Sequence, residues 1–112
     1  MILNKPNTRK INILGTEWTI ICEKDCDGEG FTDNSVKEIH ISVRDKEQDD
    51  LIDIMQPRKT TVRHEIIHAF LCESGLYQNS SDCDAWAINE EMVDWFALQF
   101  HKIAKVFKEL KI

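Results

Sequence analysis

The chain has no apolar run approaching the ~20 residues a membrane span requires, so no membrane partner is expected. It also has no basic excess: 14 Lys and Arg stand against 20 Asp and Glu, for a formal net charge of −6. Phosphate backbones are held by concentrated Lys and Arg, so a nucleic-acid partner is not expected either. The negative balance reads as solubility. The amino terminus, Met1-Ile2-Leu3-Asn4-Lys5-Pro6, lacks the charged-then-apolar layout of a signal peptide. Internal repeats, low-complexity tracts and linker-like stretches are missing as well. The four cysteines, Cys22, Cys26, Cys72 and Cys83, are therefore expected as free thiols in a reducing cytoplasm. A chain of 112 residues fits a single domain spanning 1–112, burying roughly two-thirds of its unfolded surface.

What is present divides into two parts. Residues 10–14 and 17–22 read as short strands, with Gly15-Thr16 between them as a tight turn, glycine first. Residues 23–30 are polar and hold Gly28 and Gly30, which suits a loop. In residues 37–43, Ile39, Ile41 and Val43 alternate with His40 and Ser42, the period of a half-buried strand. Phe31-Thr32-Asp33 is placed to pair with it across Asn34-Ser35. The fold class expected is α+β: a small N-terminal antiparallel sheet followed by helices. Residues 46–55 suit a short helix burying Leu51, Ile52 and Met55, and Pro57 marks a break or a helix start. A helix is expected over 58–74, stopped by Gly75. After a polar loop at 76–82, Ser81 or Asp82 would cap a last helix running from about Cys83 past Phe100.

The most specific pattern is His64-Glu65-Ile66-Ile67-His68, inside the helical stretch. Two histidines at i and i+4 share one helix face, so both imidazoles can reach one metal ion with a glutamate beside it. A catalytic zinc takes three protein ligands and leaves one position open. The last helix supplies candidates for the third: Glu90, Glu91 and Asp94 lie in a segment apolar nearly all round, which implies burial. Carboxylates are rarely buried without a partner or a metal. Glu90 shares its face with Trp86, Val93 and Ala97; Glu91 stays as the alternative should the helix phase slip. Asp94, one turn on, would reach the outer nitrogen of a ligand histidine and fix its tautomer.

His64-Glu65-x-x-His68 followed by Asn89-Glu90-x-x-x-Asp94 resembles the gluzincin metallopeptidases. In them the third ligand is a glutamate on the following helix, and an aspartate four residues later supports a histidine. Glu90-x-x-Val93-Asp94-x-Phe96-Ala97 is similar to a segment of the ImmA/IrrE-type peptidases, compact intracellular proteins that cleave transcriptional repressors. The arrangement as a whole resembles small zincin-like proteins of phages and prophages. The detailed match covers residues 61–76 and 89–100. Val93 stands where the ImmA/IrrE type has alanine, and no helix-turn-helix segment precedes the core; both departures weigh against repressor cleavage. The resemblance implies Zn²⁺ on His64, His68 and Glu90, with Asp94 in support. Glu65 would be general base toward a zinc-activated water in hydrolysis of a peptide or protein substrate. Tyr77, just past the helix, is a candidate oxyanion donor, and the sheet edge near residues 38–43 a candidate docking strand for substrate.

Competing readings remain on the page. In one, zinc serves only to clamp two helices of a non-catalytic binding module; in another, the activity is that of a toxin or regulatory protease directed at one partner. A protein regulator is unidentified. Cys22 and Cys26 do not have a usual zinc spacing. Cys72, one turn past His68, invites a Cys–His nucleophile pair but lacks an orienting third group. His40 and His101 read as ordinary strand and helix residues, and Lys102, Lys105, Lys108 and Lys111 as a solvated helix face. Trp18, Trp86, Trp95 and the phenylalanines are expected in the core.

Overall fold

Alternation in the first third of the chain becomes a sheet because each strand has one face to bury. A computed structural model describes residues 1–45, 52–79 and 89–112. Strands β1 (Asn7–Ile13), β2 (Thr16–Glu23), β3 (Gly30–Asp33) and β4 (Glu38–Ser42) form a four-stranded sheet in the order β1-β2-β4-β3. Side chains Ile11, Ile13, Trp18, Ile20, Cys22, Ile39 and Ile41, at every second position, are all buried on one face. The fold class is α+β, but the sheet is mixed. β1 pairs β2 and β3 pairs β4 antiparallel, as the expected hairpins require, while β4 runs parallel to β2. The loop after β2 carries the chain past one strand width, so β4 inserts between β2 and β3 and leaves β3 at the edge. This corrects the expected docking edge: residues 38–42 lie in the interior, and the open edge near them is β3.

The first hairpin turns one residue earlier than Gly15-Thr16. Ile13 pairs with Thr16, and the turn residues Leu14 and Gly15 both have positive φ, 51° and 92°. That is the two-residue turn whose twist matches the flanking strands.

Among the described residues three helices follow: α1 (Met55–Glu73), α2 (Leu76–Asn79) and α3 (Glu90–Leu110). Pro57 sits in the first turn of α1, where it costs no intrahelical hydrogen bond. Gly75, at φ 83°, follows the last turn and stops the helix as expected. Val62, Ile66, Ala69 and Phe70 make the stripe that α1 lays on the sheet. Arg58 is buried near its start, donating to the Leu3 and Arg44 carbonyls. At its far end Glu73 accepts from Thr16 Oγ1 and Trp18 Nε1, both at 2.9 Å, and pairs with Lys37 Nζ at 3.0 Å. Of the short helix expected over 46–55, residues 46–51 lie outside the described residues; Ile52 is 93% exposed and Met55 opens α1 instead.

The start of the last helix expected near Cys83, its caps Ser81 or Asp82, and Trp86 also lie outside the described residues. Within them α3 begins at Glu90, with Asn89 as its cap accepting from the Met92 amide at 2.8 Å. The expected burial of this helix all round is corrected. Trp95, Ile103, Val106 and Leu110 are buried as one stripe, whereas Phe96, Leu98 and Phe100 are 40%, 68% and 66% exposed. The sheet and α1 offer α3 a single contact face, and residues off that face stay outside. Trp18, Phe70 and Trp95 do belong to the core, and the four lysines of α3 and its cap are exposed.

Candidate functional site

The site is assembled by the close approach of α1 to the edge strand β3. Gly30 opens that strand, and a Cβ there would meet the His40 carbonyl oxygen at 2.8 Å and Thr61 Cγ2 at 3.0 Å. Glycine is thus the residue that lets α1 lie this near the edge. Two residues on, Thr32 points at the helix. Its hydroxyl lies 2.7 Å from Glu65 Oε2 and 3.0 Å from the Glu65 carbonyl oxygen. Glu65 is buried, and among the described residues Thr32 is the one hydrogen-bond partner of its carboxylate. Thr32 was not among the residues the motif selects. Alternation would put the apolar Phe31 on the core-facing side; instead Thr32 faces α1 and Phe31 stacks on His40 on the other face, and nothing local says which helix residue the threonine meets.

His64 and His68 lie on the flank of α1 away from its core stripe. Their Nε2 atoms are 3.0 Å apart, and the rings meet edge to face at 4.7 Å between centroids. Neutral imidazoles so placed share one N–H between two nitrogens. Zinc–imidazole bonds are about 2.0–2.1 Å, and two such bonds at the tetrahedral angle separate their nitrogens by roughly 3.3 Å. The pair therefore fits a common ion with only a small opening of the two rings. Glu90, Glu91 and Asp94, in contrast, are all exposed in the first turns of α3. Among the described residues no group of three His, Cys, Asp or Glu side chains converges on one point. The structure brings together His64, Glu65 and His68; it does not bring the α3 carboxylates to them.

A cleft of about 650 Å³ opens beside this group, lined by residues 30–35 of the edge strand and its turn, by Glu65, His68 and Cys72 of α1, and by Tyr77 of α2. Tyr77 thus faces the same space as Glu65, and is itself exposed. Burial raises the Cys72 pKa; Lys37 opposes the rise and Glu73 adds to it. Its thiol is protonated at neutral pH, a poor nucleophile. Burial also pushes Cys22 and Cys26 up to about 11, and all three are free thiols.

His40, on β4, has Nδ1 3.2 Å from Glu23 and Nε2 3.0 Å from Glu38, with Phe31 stacked on its ring at 4.5 Å. It lies on the sheet face opposite the core and takes no part in the cleft. His101 is exposed on α3. Among the described residues no helix is long and apolar enough to cross a membrane. No protein-family model, curated protein or solved structure matches this chain.

Proposed function

We propose that this chain is a zinc-dependent peptidase that hydrolyses a peptide bond in the cleft between β3 and α1. One observation carries the reading. Two imidazole nitrogens meet at 3.0 Å, one turn apart, beside a buried glutamate held by a threonine of an open sheet edge. His64 and His68 would hold the ion, with Glu90 as the third ligand and Asp94 as the carboxylate supporting a ligand histidine. Bound there, zinc would supply Lewis acidity toward a scissile carbonyl and toward water.

The remaining work belongs to the chain itself. Glu65 takes a proton from the attacking water and hands it to the leaving nitrogen. Thr32 keeps one oxygen of that carboxylate fixed, so the other is the one presented to the cleft. The unpaired side of β3 aligns an extended substrate through main-chain hydrogen bonds. Tyr77 is the proposed donor toward the developing oxyanion. A cytoplasmic setting, read from the free thiols, and a phage- or prophage-borne one, taken from the resemblance, complete the reading.

Glu65→Gln tests it. The variant should retain zinc at wild-type stoichiometry and lose cleavage of a peptide library; full activity would sink the mechanism. Glu90→Ala should release zinc and Glu91→Ala should not, with the reverse result reassigning the ligand. The second reading is a metal-stabilised binding module, in which zinc would serve the fold and not catalysis. Such a protein binds zinc yet tolerates Glu65→Gln in its biological assay. A protease directed at one partner differs from both in leaving casein intact.

A further inference from the structure

The cleft has a charge, and the charge selects a substrate. Among its lining residues Asp33 and Glu65 are carboxylates, and none is Lys or Arg. Glu65 is occupied by Thr32 and by the chemistry proposed for it. Asp33 is not. It ends the edge strand, and because Thr32 faces α1, Phe31 and Asp33 face the other side of the sheet.

Asp33 is held in place by its own turn. Its Oδ1 accepts from the Ser35 amide at 2.9 Å and from the Ser35 hydroxyl at 2.5 Å. These two hydrogen bonds, led by the hydroxyl, keep its carboxyl below the usual carboxylate value, with smaller help from the Val36 amide and from His40. A carboxylate offers about four acceptor positions, so the turn leaves room for a further donor. Directly across the strand pair stands Glu38, a like charge, which is an unfavourable neighbour in an antiparallel pair. Glu38 is engaged by His40, whereas Asp33 has no cation within ion-pair distance among the described residues. Tyr77 adds an aromatic face to the cleft.

Resting on the peptidase reading, we propose that Asp33 is a specificity-determining residue that selects peptides carrying lysine or arginine beside the scissile bond. The position follows from the register. In a strand added to β3, the residue facing Asp33 adjoins the one facing Thr32, and Thr32 touches Glu65. The cation therefore falls within about two residues of the bond cut.

The test uses the full-length zinc-loaded protein and fluorogenic peptides identical except for Lys, Arg, Ala or Glu at the positions flanking the scissile bond. Wild type should favour Lys or Arg over Ala by about threefold to fivefold, the scale of a solvent-exposed ion pair, and added salt should shrink the preference. Asp33→Asn keeps an oxygen for the Ser35 contacts; it should bring the ratio of basic to neutral peptides toward one. Asp33→Lys should turn the preference toward Glu. A basic preference that survives both variants, or no preference in wild type, overturns the selection while leaving hydrolysis standing. Direct binding of the same peptides to Glu65→Gln, by fluorescence anisotropy, separates the other case. Basic peptides bound in an Asp33-dependent way but never cut by wild type would uphold the selection and end the peptidase reading. Absence of both cutting and binding would overturn the two together.

Discussion

The two helices that carry the motif residues are built differently. α1 is fixed along its whole length: Arg58 ties its start to two backbone carbonyls, its apolar stripe covers the sheet, and Glu73 ties its end to β1–β2 turn and strand residues. Among the described residues, the second half of α3 is packed that way, through Ile103, Val106 and Leu110. Its first three turns hold on by Trp95, whose indole N–H donates to Ser74 Oγ at 3.0 Å, while Phe96, Leu98 and Phe100 face outward. The histidines and Glu65 sit on the fixed helix, and Glu90, Glu91 and Asp94 on the loosely held end of the other. One half of the proposed ligand set can thus be preorganised by the core while the other half depends on how a helix end is seated.

The contrast predicts unequal losses on truncation. Phe70 is 1% exposed under the sheet, and Phe70→Ala should cost about 3–5 kcal/mol. Phe100 stands outside the core stripe, and Phe100→Ala should stay within about 0.5 kcal/mol. Urea unfolding of the two variants measures both. A comparable loss for Phe100→Ala would mean that the start of α3 is covered, and the contrast would collapse.

This difference also marks how far the sequence could be read. Hairpins, the extent of α1 and its stop at Gly75 follow from local rules, because period, turn residues and caps act over a few positions. The pairing of β3 with β4 followed from Phe31-Thr32-Asp33 and residues 37–43 alone. Strand order did not: alternation says which face of β4 is buried, not that it slips between β2 and β3, and so the open edge was misplaced. For α3, apolar residues on several faces suggested burial all round, but burial depends on how many neighbours the helix meets. The His64–Glu65–His68 group was legible because i, i+4 spacing is itself geometry. Its contact with Thr32, 33 positions away in sequence, was not.

A smaller effect sharpens the description of α1's fixed end. Burial alone would raise the Glu73 pKa, but hydrogen bonds from Lys37, Thr16 and Trp18 outweigh it and the net shift is downward. Its contribution to stability is therefore complete above the ordinary glutamate value of about 4.3 and is lost as pH falls through the lower folded value. Glu73→Gln should cost about 2 kcal/mol at neutral pH, the scale of hydrogen bonds to a charged group. It should also flatten the dependence of the urea midpoint on pH over the acid limb. An acid limb as steep in the variant as in the wild type would show that other carboxylates, not the seating of α1, govern acid unfolding.

A modest change in stability should come from the seam between strand and helix, and there the readout moves from folding to catalysis. Thr32→Val preserves shape and removes the hydroxyl beside Glu65 Oε2. Glu65 borders the cleft, so its carboxylate can turn toward water, and the stability loss should be only about 1 kcal/mol. On the peptidase reading the loss of a fixed carboxylate is felt instead in the proton transfer, with kcat about tenfold lower, a part of the roughly 10²–10⁴-fold that a positioned general base contributes. KM and zinc affinity should change little, because main-chain pairing with β3 and the two imidazoles are untouched. Thr32→Ser should restore kcat, since the hydroxyl alone is required. If Thr32→Val lowers zinc affinity and stability together while Ser fails to rescue, then the threonine only packs α1 against the edge. In that event the fixed half of the site owes its order to the core and not to this hydrogen bond.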